Sequence, residues 1–264
     1  MDRRIAMPHF FLAPGSIQGD AVTITGALAR HLAGALRYRE GDRITVVSDN
    51  GQRLRVALVE TAAQRVCGRV VEPLTDETAP GPRVTLAHAV LKGDHMDAVI
   101  QKTTELGVHR LVPLITRRTV VRPKHDRSTR QIERWRAIAL EAAQQSERLT
   151  IPFVDDVVSL ADWLESRSGD QSIRWLLGER ETRRFLRSEL STRPPADEVS
   201  LVVGPEGGFE EEELDQARAA GCVVVSLGRA VLRAQTAGVA ALTILHYAWG
   251  GLGGPQPASD PRHV

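Results

Sequence analysis

From residue 84 to residue 248 short apolar runs alternate with longer amphipathic stretches, and this alternation limits the possible folds more than any other feature of the chain. Strands are expected at 84–90, 111–115, 173–177, 200–203 and 223–227. Helices are expected at about 95–106, 129–147, 181–190, 210–220 and 235–248. The second of these opens with Ser128 and Gln131 spaced as a capping box, and Ile132, Trp135, Ile138 and Ala142 form its apolar face. Strands and helices in alternation imply an α/β domain built on a mostly parallel sheet.

The first part of the chain has a different pattern. Up to about residue 72 it offers short β-prone runs at 21–24, 43–47, 54–59 and 66–71, with turn chemistry at Gly41-Asp42 and Asp49-Asn50-Gly51. A small β-barrel is expected. The breaker-rich stretch 76–82 then marks a boundary, giving a first domain over 1–75, an α/β domain over 76–250 and a flexible tail over 251–264.

Composition excludes several classes. Hydrophobic residues make up 42% of the 264, enough for a sizeable core, yet no apolar run approaches the length of roughly 20 that spans a bilayer. Pro8 and Pro14 interrupt the start before a signal-like segment can build up, so a cytoplasmic protein without a membrane partner is expected. Cys67 and Cys222 are far apart and have no Cys-x-x-Cys or Cys/His companion, which points away from both a disulfide framework and a metal site. The formal net charge of +1 conceals a cluster of seven arginines and one lysine from Arg117 to Arg136, opposed only by Asp126 and Glu133. Arginine pairs with phosphate and stacks on bases, so this stretch is a candidate RNA contact whose affinity would fall with salt.

The chemistry is concentrated in Leu201-Val202-Val203-Gly204-Pro205-Glu206-Gly207-Gly208-Phe209-Glu210, where an apolar strand passes through a glycine-rich loop into an acidic helix start. Glycines let the backbone approach a ligand closely, and parallel sheets bind ligands beyond the carboxyl ends of their strands. The Gly-Lys-Ser/Thr of a P-loop is missing and the spacing does not match Gly-x-Gly-x-x-Gly. Four consecutive glutamates would also repel an anion, so a neutral or cationic ligand is expected. Gly207→Val is expected to abolish its binding by filling the space where backbone must approach it. The next strand ends in a second such segment, Ser226-Leu227-Gly228-Arg229-Ala230-Val231-Leu232-Arg233-Ala234-Gln235-Thr236-Ala237.

On these two segments, with Lys92-Gly93-Asp94, Gln101 to Val108, Glu141-Ala142, Gln145-Ser146 and the early His31-Leu32, Leu36-Arg37 and Gly41-Asp42, the chain resembles the small-subunit ribosomal RNA methyltransferases that act on uridine N3. These belong to the knotted SPOUT class. The resemblance implies a PUA-like RNA-binding barrel followed by a trefoil-knotted methyltransferase domain, S-adenosylmethionine as cofactor, 16S rRNA within the small subunit as partner, and a homodimer. It further implies that Leu177, Gly178, Val203, Gly204, Pro205, Glu206, Gly207, Gly208, Leu227, Gly228, Leu232 and Thr236 hold the cofactor. Arg37, Arg118, Arg122 and Arg127 would contact RNA. Arg233 would be catalytic, unless it only pairs with an acid such as Glu206. Gln235 stands where the family usually has glutamate, and no role is assigned to it. A knotted methyltransferase for tRNA or another rRNA position, and a noncatalytic RNA-binding assembly factor, remain as alternatives.

Overall fold

The structure, a computed structural model, describes residues 8–74, 81–121 and 125–252. They form two compact units: residues up to 77 together with Ala143–Thr150, and 78–142 together with 151 onward. In the first unit, six strands lie in the order β1-β4-β5-β6-β3-β2: β1 (His9–Phe11), β2 (Ile17–Gln18), β3 (Ala21–Thr25), β4 (Arg43–Val47), β5 (Arg53–Thr61) and β6 (Arg65–Leu74). All pairings are antiparallel except β1 with β4. Alternate residues face inward, so Val22, Ile24, Leu54, Val56 and Leu58 are buried while the intervening Arg53 and Arg55 are partly exposed. Helix α1 (Gly26–Arg30) continues into a π-helical turn (His31–Ala35) that contributes the buried Leu32. Ala143–Thr150 joins this unit for a local reason. The ring Nδ1 of buried His9 lies 3.4 Å from the Arg148 carbonyl, and burial lowers the Arg148 guanidinium pKa to about 10.

The second unit is the α/β domain. Its strands are β7 (Arg83–Ala89), β8 (Arg110–Ile115), β9 (Phe153–Val154), β10 (Val158–Ser159), β11 (Ile173–Leu177), β12 (Glu198–Val203) and β13 (Val223–Val225). They form a parallel seven-stranded sheet in the order β10-β8-β7-β12-β11-β13, with β9 also paired to β8. Helices α2 (His95–Glu105), α3 (His125–Gln145), α4 (Leu160–Ser166), α5 (Leu186–Thr192), α6 (Glu211–Ala219) and α7 (Ala234–Ala248) supply the crossovers and the layers beside it. Successive residues of β12 serve opposite faces: Leu201 joins Leu86, Ile100, Trp135 and Leu242, and Val202 joins Val112, Trp163 and Ala217. A sheet covered on both faces has near-continuous apolar strands, as these are.

The sequence expectations differ from the structure at several points. The helix expected at 181–190 starts only at Leu186, because the Glu181 carboxylate accepts from the N–H groups of Arg183 (2.6 Å) and Arg184 (3.2 Å) and fixes a turn instead. Those same bonds lower the Glu181 pKa. Helix α3 begins before Ser128, so Ser128 does not cap it. The short elements β1, β9, β10 and α4 were not expected; α4 is capped by Ser159, whose side chain accepts from the Asp162 N–H. Most of the breaker stretch 76–82 and the tail beyond Leu252 lie outside the described residues.

Candidate functional site

Three strands of the second unit end in a glycine: Leu177-Gly178 after β11, Val203-Gly204 after β12 and, just past β13, Leu227-Gly228. Their loops enclose a cleft of about 740 Å³ beyond the carboxyl ends of the parallel strands. The walls are held together by backbone. The Gly178 N–H donates to the Val225 carbonyl (2.9 Å), and Ser226 exchanges bonds with Arg184 and Leu186. Side chains are excluded where the glycines stand. A Cβ on Gly178 would lie 2.7 Å from Val224 Cγ1, and one on Gly204 would lie 3.0 Å from the Phe209 ring. Gly208 adopts φ +70, and a Cβ there would reach within 2.9 Å of Glu179 Oε1. At Gly228, φ is +142 and no protein atom lies within 4 Å of a built Cβ.

The acidic helix start is largely neutralised by the protein itself. Glu213 is buried and accepts from two N–H groups, those of Glu210 (2.9 Å) and Arg117 (2.9 Å), completing a capping box on α6. Arg117 also pairs with Glu210 and Glu212, and these bonds raise its pKa. Arg218 pairs with Glu211 and Asp215. Arg118 donates from Nη1 to the Gly207 carbonyl (2.8 Å) and lines the cleft. The loop after β8 thus braces the glycine loop. The expectation for Gly207 changes accordingly: it does not line the cleft, and a Cβ there would lie along the Arg118 side chain at 3.4 Å.

The third wall leads into α7. Arg233 is its N-cap, with the Arg233 carbonyl accepting from the N–H groups of Thr236 (2.8 Å) and Ala237 (2.9 Å). Its guanidinium is exposed, lines the cleft and makes no ion pair with any described residue. The pairing with Glu206 considered from sequence is absent; Glu206 Oε1 instead accepts from the Lys92 N–H at 3.2 Å.

Of the residues singled out from sequence, Leu177, Gly178, Val203, Gly204, Pro205, Glu206, Gly208, Leu227, Gly228, Leu232 and Arg233 all line this one cleft. Thr236 lies one position beyond Gln235, and Gln235 does line it. The arginines expected on RNA are dispersed. Arg37 belongs to the first unit, where it is exposed with φ +56; Arg127 lies in α3; Arg122 lies outside the described residues. Arg118 is turned onto Gly207, while Arg134 pairs with Asp97, and Arg136 pairs with Asp156 and donates to the Val154 carbonyl. Sequence reasoning missed the wall from Glu179 to Glu181 and the part played by Leu91 and His95. The signal for that wall was available, since an apolar strand meets a glycine at Gly178 as it does at Gly204 and Gly228.

Comparison with known proteins gives the fold and the site a family. The RNA methyltransferase domain family matches residues 78–246. The ribosomal RNA small subunit methyltransferase E of Synechocystis sp. is 33% identical over 231 residues, covering 88% of this chain and 74% of that protein. That of Bacillus subtilis is 32% identical over 229 residues, covering 85% and 89%. A crystal structure of the Neisseria gonorrhoeae enzyme of that name, bound to S-adenosyl methionine, superposes with a TM-score of 0.83 at 29% identity over 94% of this chain and all of that one. A domain match across the second unit, joined to relatives aligned along most of their length, makes the chain a member of the ribosomal RNA small subunit methyltransferase E family.

Proposed function

We propose that this protein transfers a methyl group from S-adenosylmethionine to N3 of a uridine in 16S rRNA of the small ribosomal subunit. The observation that carries this reading is the cleft itself, walled by three strand-terminal glycine loops with a guanidinium at its rim that pairs with no carboxylate among the described residues. The fit to the cofactor is sound. The volume is in the range that suits a nucleoside joined to an amino acid, and the open space at Gly228 leaves backbone exposed to a ligand. The residues that would hold it are Leu177, Gly178, Val203 to Glu206, Gly208, Leu227, Gly228 and Leu232, with Thr236 beside them. When bound, S-adenosylmethionine supplies an electrophilic methyl group on a sulfonium.

Methylation at N3 requires loss of the N3 proton, so negative charge spreads to the flanking carbonyl oxygens of the base. Arg233, at the positive end of α7 and without a carboxylate partner among the described residues, is placed to donate to such an oxygen. Further parts of the reading rest on the family. The open six-stranded sheet would be a PUA-like RNA-binding unit, and the path from Ser226 to Arg233 beside the loop at 178–186 would close a trefoil knot. Phosphate contacts are proposed for Arg37, Arg122 and Arg127. Ile244 and Tyr247, three residues apart on α7 and exposed by 39% and 76%, are proposed for the homodimer contact. No helix among the described residues is long and apolar enough to cross a membrane, and action in the cytoplasm is part of the proposal.

The test is mass-spectrometric mapping of 3-methyluridine in 16S rRNA from cells with and without the gene. Loss of one 3-methyluridine in 16S rRNA is expected. A methyl group lost from tRNA would move the activity to another RNA, and no lost methyl group would point to an assembly factor. A second expectation concerns Arg118, whose charged hydrogen bond to Gly207 braces the loop. Such a bond contributes on the order of 1–2 kcal/mol, so Arg118→Ala should weaken S-adenosylmethionine binding by about tenfold in calorimetry. An unchanged affinity would mean that the loop holds its shape without this brace.

A further inference from the structure

His88 ends in a position that neither the fold nor the cleft accounts for. It stands near the carboxyl end of β7 with 0% exposure, opposite Val203 on β12 and Pro113 on β8, and does not line the cleft. Its Nδ1 lies 2.7 Å from the carbonyl of its neighbour Ala89, and its Nε2 lies 3.2 Å from the carbonyl of Ala234. Carbonyl oxygens only accept, so each contact is a hydrogen bond only when that ring nitrogen carries its proton. The Ala89 contact is local. The Ala234 contact joins the centre of the sheet to the first residue of α7, directly after the Arg233 N-cap.

The approach is also shaped sterically. Gly238, one turn along α7, faces the ring, and a Cβ there would lie 3.0 Å from His88 Cδ2. The absence of a side chain at Gly238 is therefore what lets the imidazole reach the helix. A buried polar ring costs free energy that an apolar side chain of similar size would not, unless its hydrogen bond is made. Burial lowers the pKa of the ring, so it carries one proton and only one of the two contacts is a hydrogen bond at a time. With that proton on Nε2 the bond made is the long-range one, to the turn that carries Arg233.

We propose that His88 is a positioning residue for Arg233: donating from Nε2 to the Ala234 carbonyl, it fixes the first turn of α7 so that the guanidinium stays over the cleft. This rests on the methyltransferase reading, in which Arg233 stabilises charge developing on the base. His88 touches neither cofactor nor RNA and acts through the helix start alone.

A double-mutant cycle tests it with His88→Phe, which keeps a ring but removes the donor, Arg233→Ala, and the two combined. Single-turnover methyl transfer from S-adenosylmethionine to small-subunit rRNA is measured alongside calorimetric cofactor affinity and thermal melting. With Arg233 present, His88→Phe should lower the rate by about tenfold, since small misplacements of a reacting group are costly. In the Arg233→Ala background the same change should cost less than about twofold, and cofactor affinity should stay within about threefold throughout. His88→Gln, whose amide can donate to the same carbonyl, should recover most of the rate, whereas His88→Leu should not. Equal losses in both backgrounds, or rate and cofactor affinity falling together, would overturn the proposal. If His88→Phe yields no folded protein, equal rates for His88→Gln and His88→Leu overturn it in the same way. Arg233→Ala at near wild-type rate would instead remove the catalytic role of Arg233 on which the proposal rests, so the two failures are told apart.

Discussion

Replacing Arg233 with alanine is expected to lower single-turnover methylation by about 10² to 10³ while S-adenosylmethionine affinity stays within about threefold. The size follows from the role. A donor aimed at an oxygen that gains charge only as the N3 proton leaves stabilises the transition state more than the ground state, which is the condition for raising turnover. The structure removes the main competing role, because the Arg233 guanidinium has no carboxylate partner among the described residues and Glu206 is engaged by the Lys92 N–H. Arg233→Lys should recover only part of the loss, since an ammonium cannot reproduce the planar fork. Quenched-flow measurement with saturating cofactor decides the matter. A rate near wild type, or a cofactor affinity that falls in step with the rate, would make Arg233 structural.

Gly208→Val is expected to weaken S-adenosylmethionine binding by more than about a hundredfold and to leave the first unit folded. Two causes act together. Gly208 sits at φ +70, where a β-branched residue is a genuine outlier costing on the order of 1–2 kcal/mol, and the new Cβ would press on the Glu179 carboxylate across the cleft. Relieving the backbone strain moves the loop that shapes the site, and the Glu179 carboxylate, at the end of a flexible side chain, is displaced from its place on the wall of the cleft. Gly207→Val is the informative comparison, because its Cβ would lie along the Arg118 stem at ordinary contact distance and its φ is not in the left-handed region. Its loss should be about tenfold at most. Titration calorimetry on both variants checks the order, and equal affinities would show that the backbone at Gly208 does not shape the cofactor site.

The sheet of the second unit was legible because each strand is an apolar run ending at a turn signal, and both faces of a covered parallel sheet demand such runs. The cleft was legible for a related reason. Glycine at Gly204 and Gly228 marks where backbone must stand close to something, and the structure brings those two loops together. What failed were judgements in which local chemistry competes. Glu181 looks like a helix former, yet its carboxylate captures the amides of Arg183 and Arg184. The glutamates from Glu210 to Glu213 pointed correctly away from an anionic ligand, but their local pairing was not legible: Glu213 turns inward to bind N–H groups and Arg117 pairs with two of the others. Arg118, expected to contact RNA, also donates to the Gly207 carbonyl, a bond that composition does not reveal. Side-chain partners far apart in sequence have no periodicity to reveal them, and His88 with Ala234 is the extreme case.

The strand order has a consequence for how the chain reaches this state. At the middle of the second sheet, β7 pairs with β12, so the edge of an early apolar strand waits until everything from Leu91 to Asp197 has been synthesised. Loop closure over such a distance is slow, and an unpaired apolar edge invites association between chains in the meantime. The sheet of the first unit is complete by Leu74, and only Ala143–Thr150 joins that unit later. Kinetic competition during synthesis therefore falls on β12, the strand that also delivers Gly204 to the cleft. Substitutions there will reduce the yield of native protein before they alter the chemistry of the molecules that do fold.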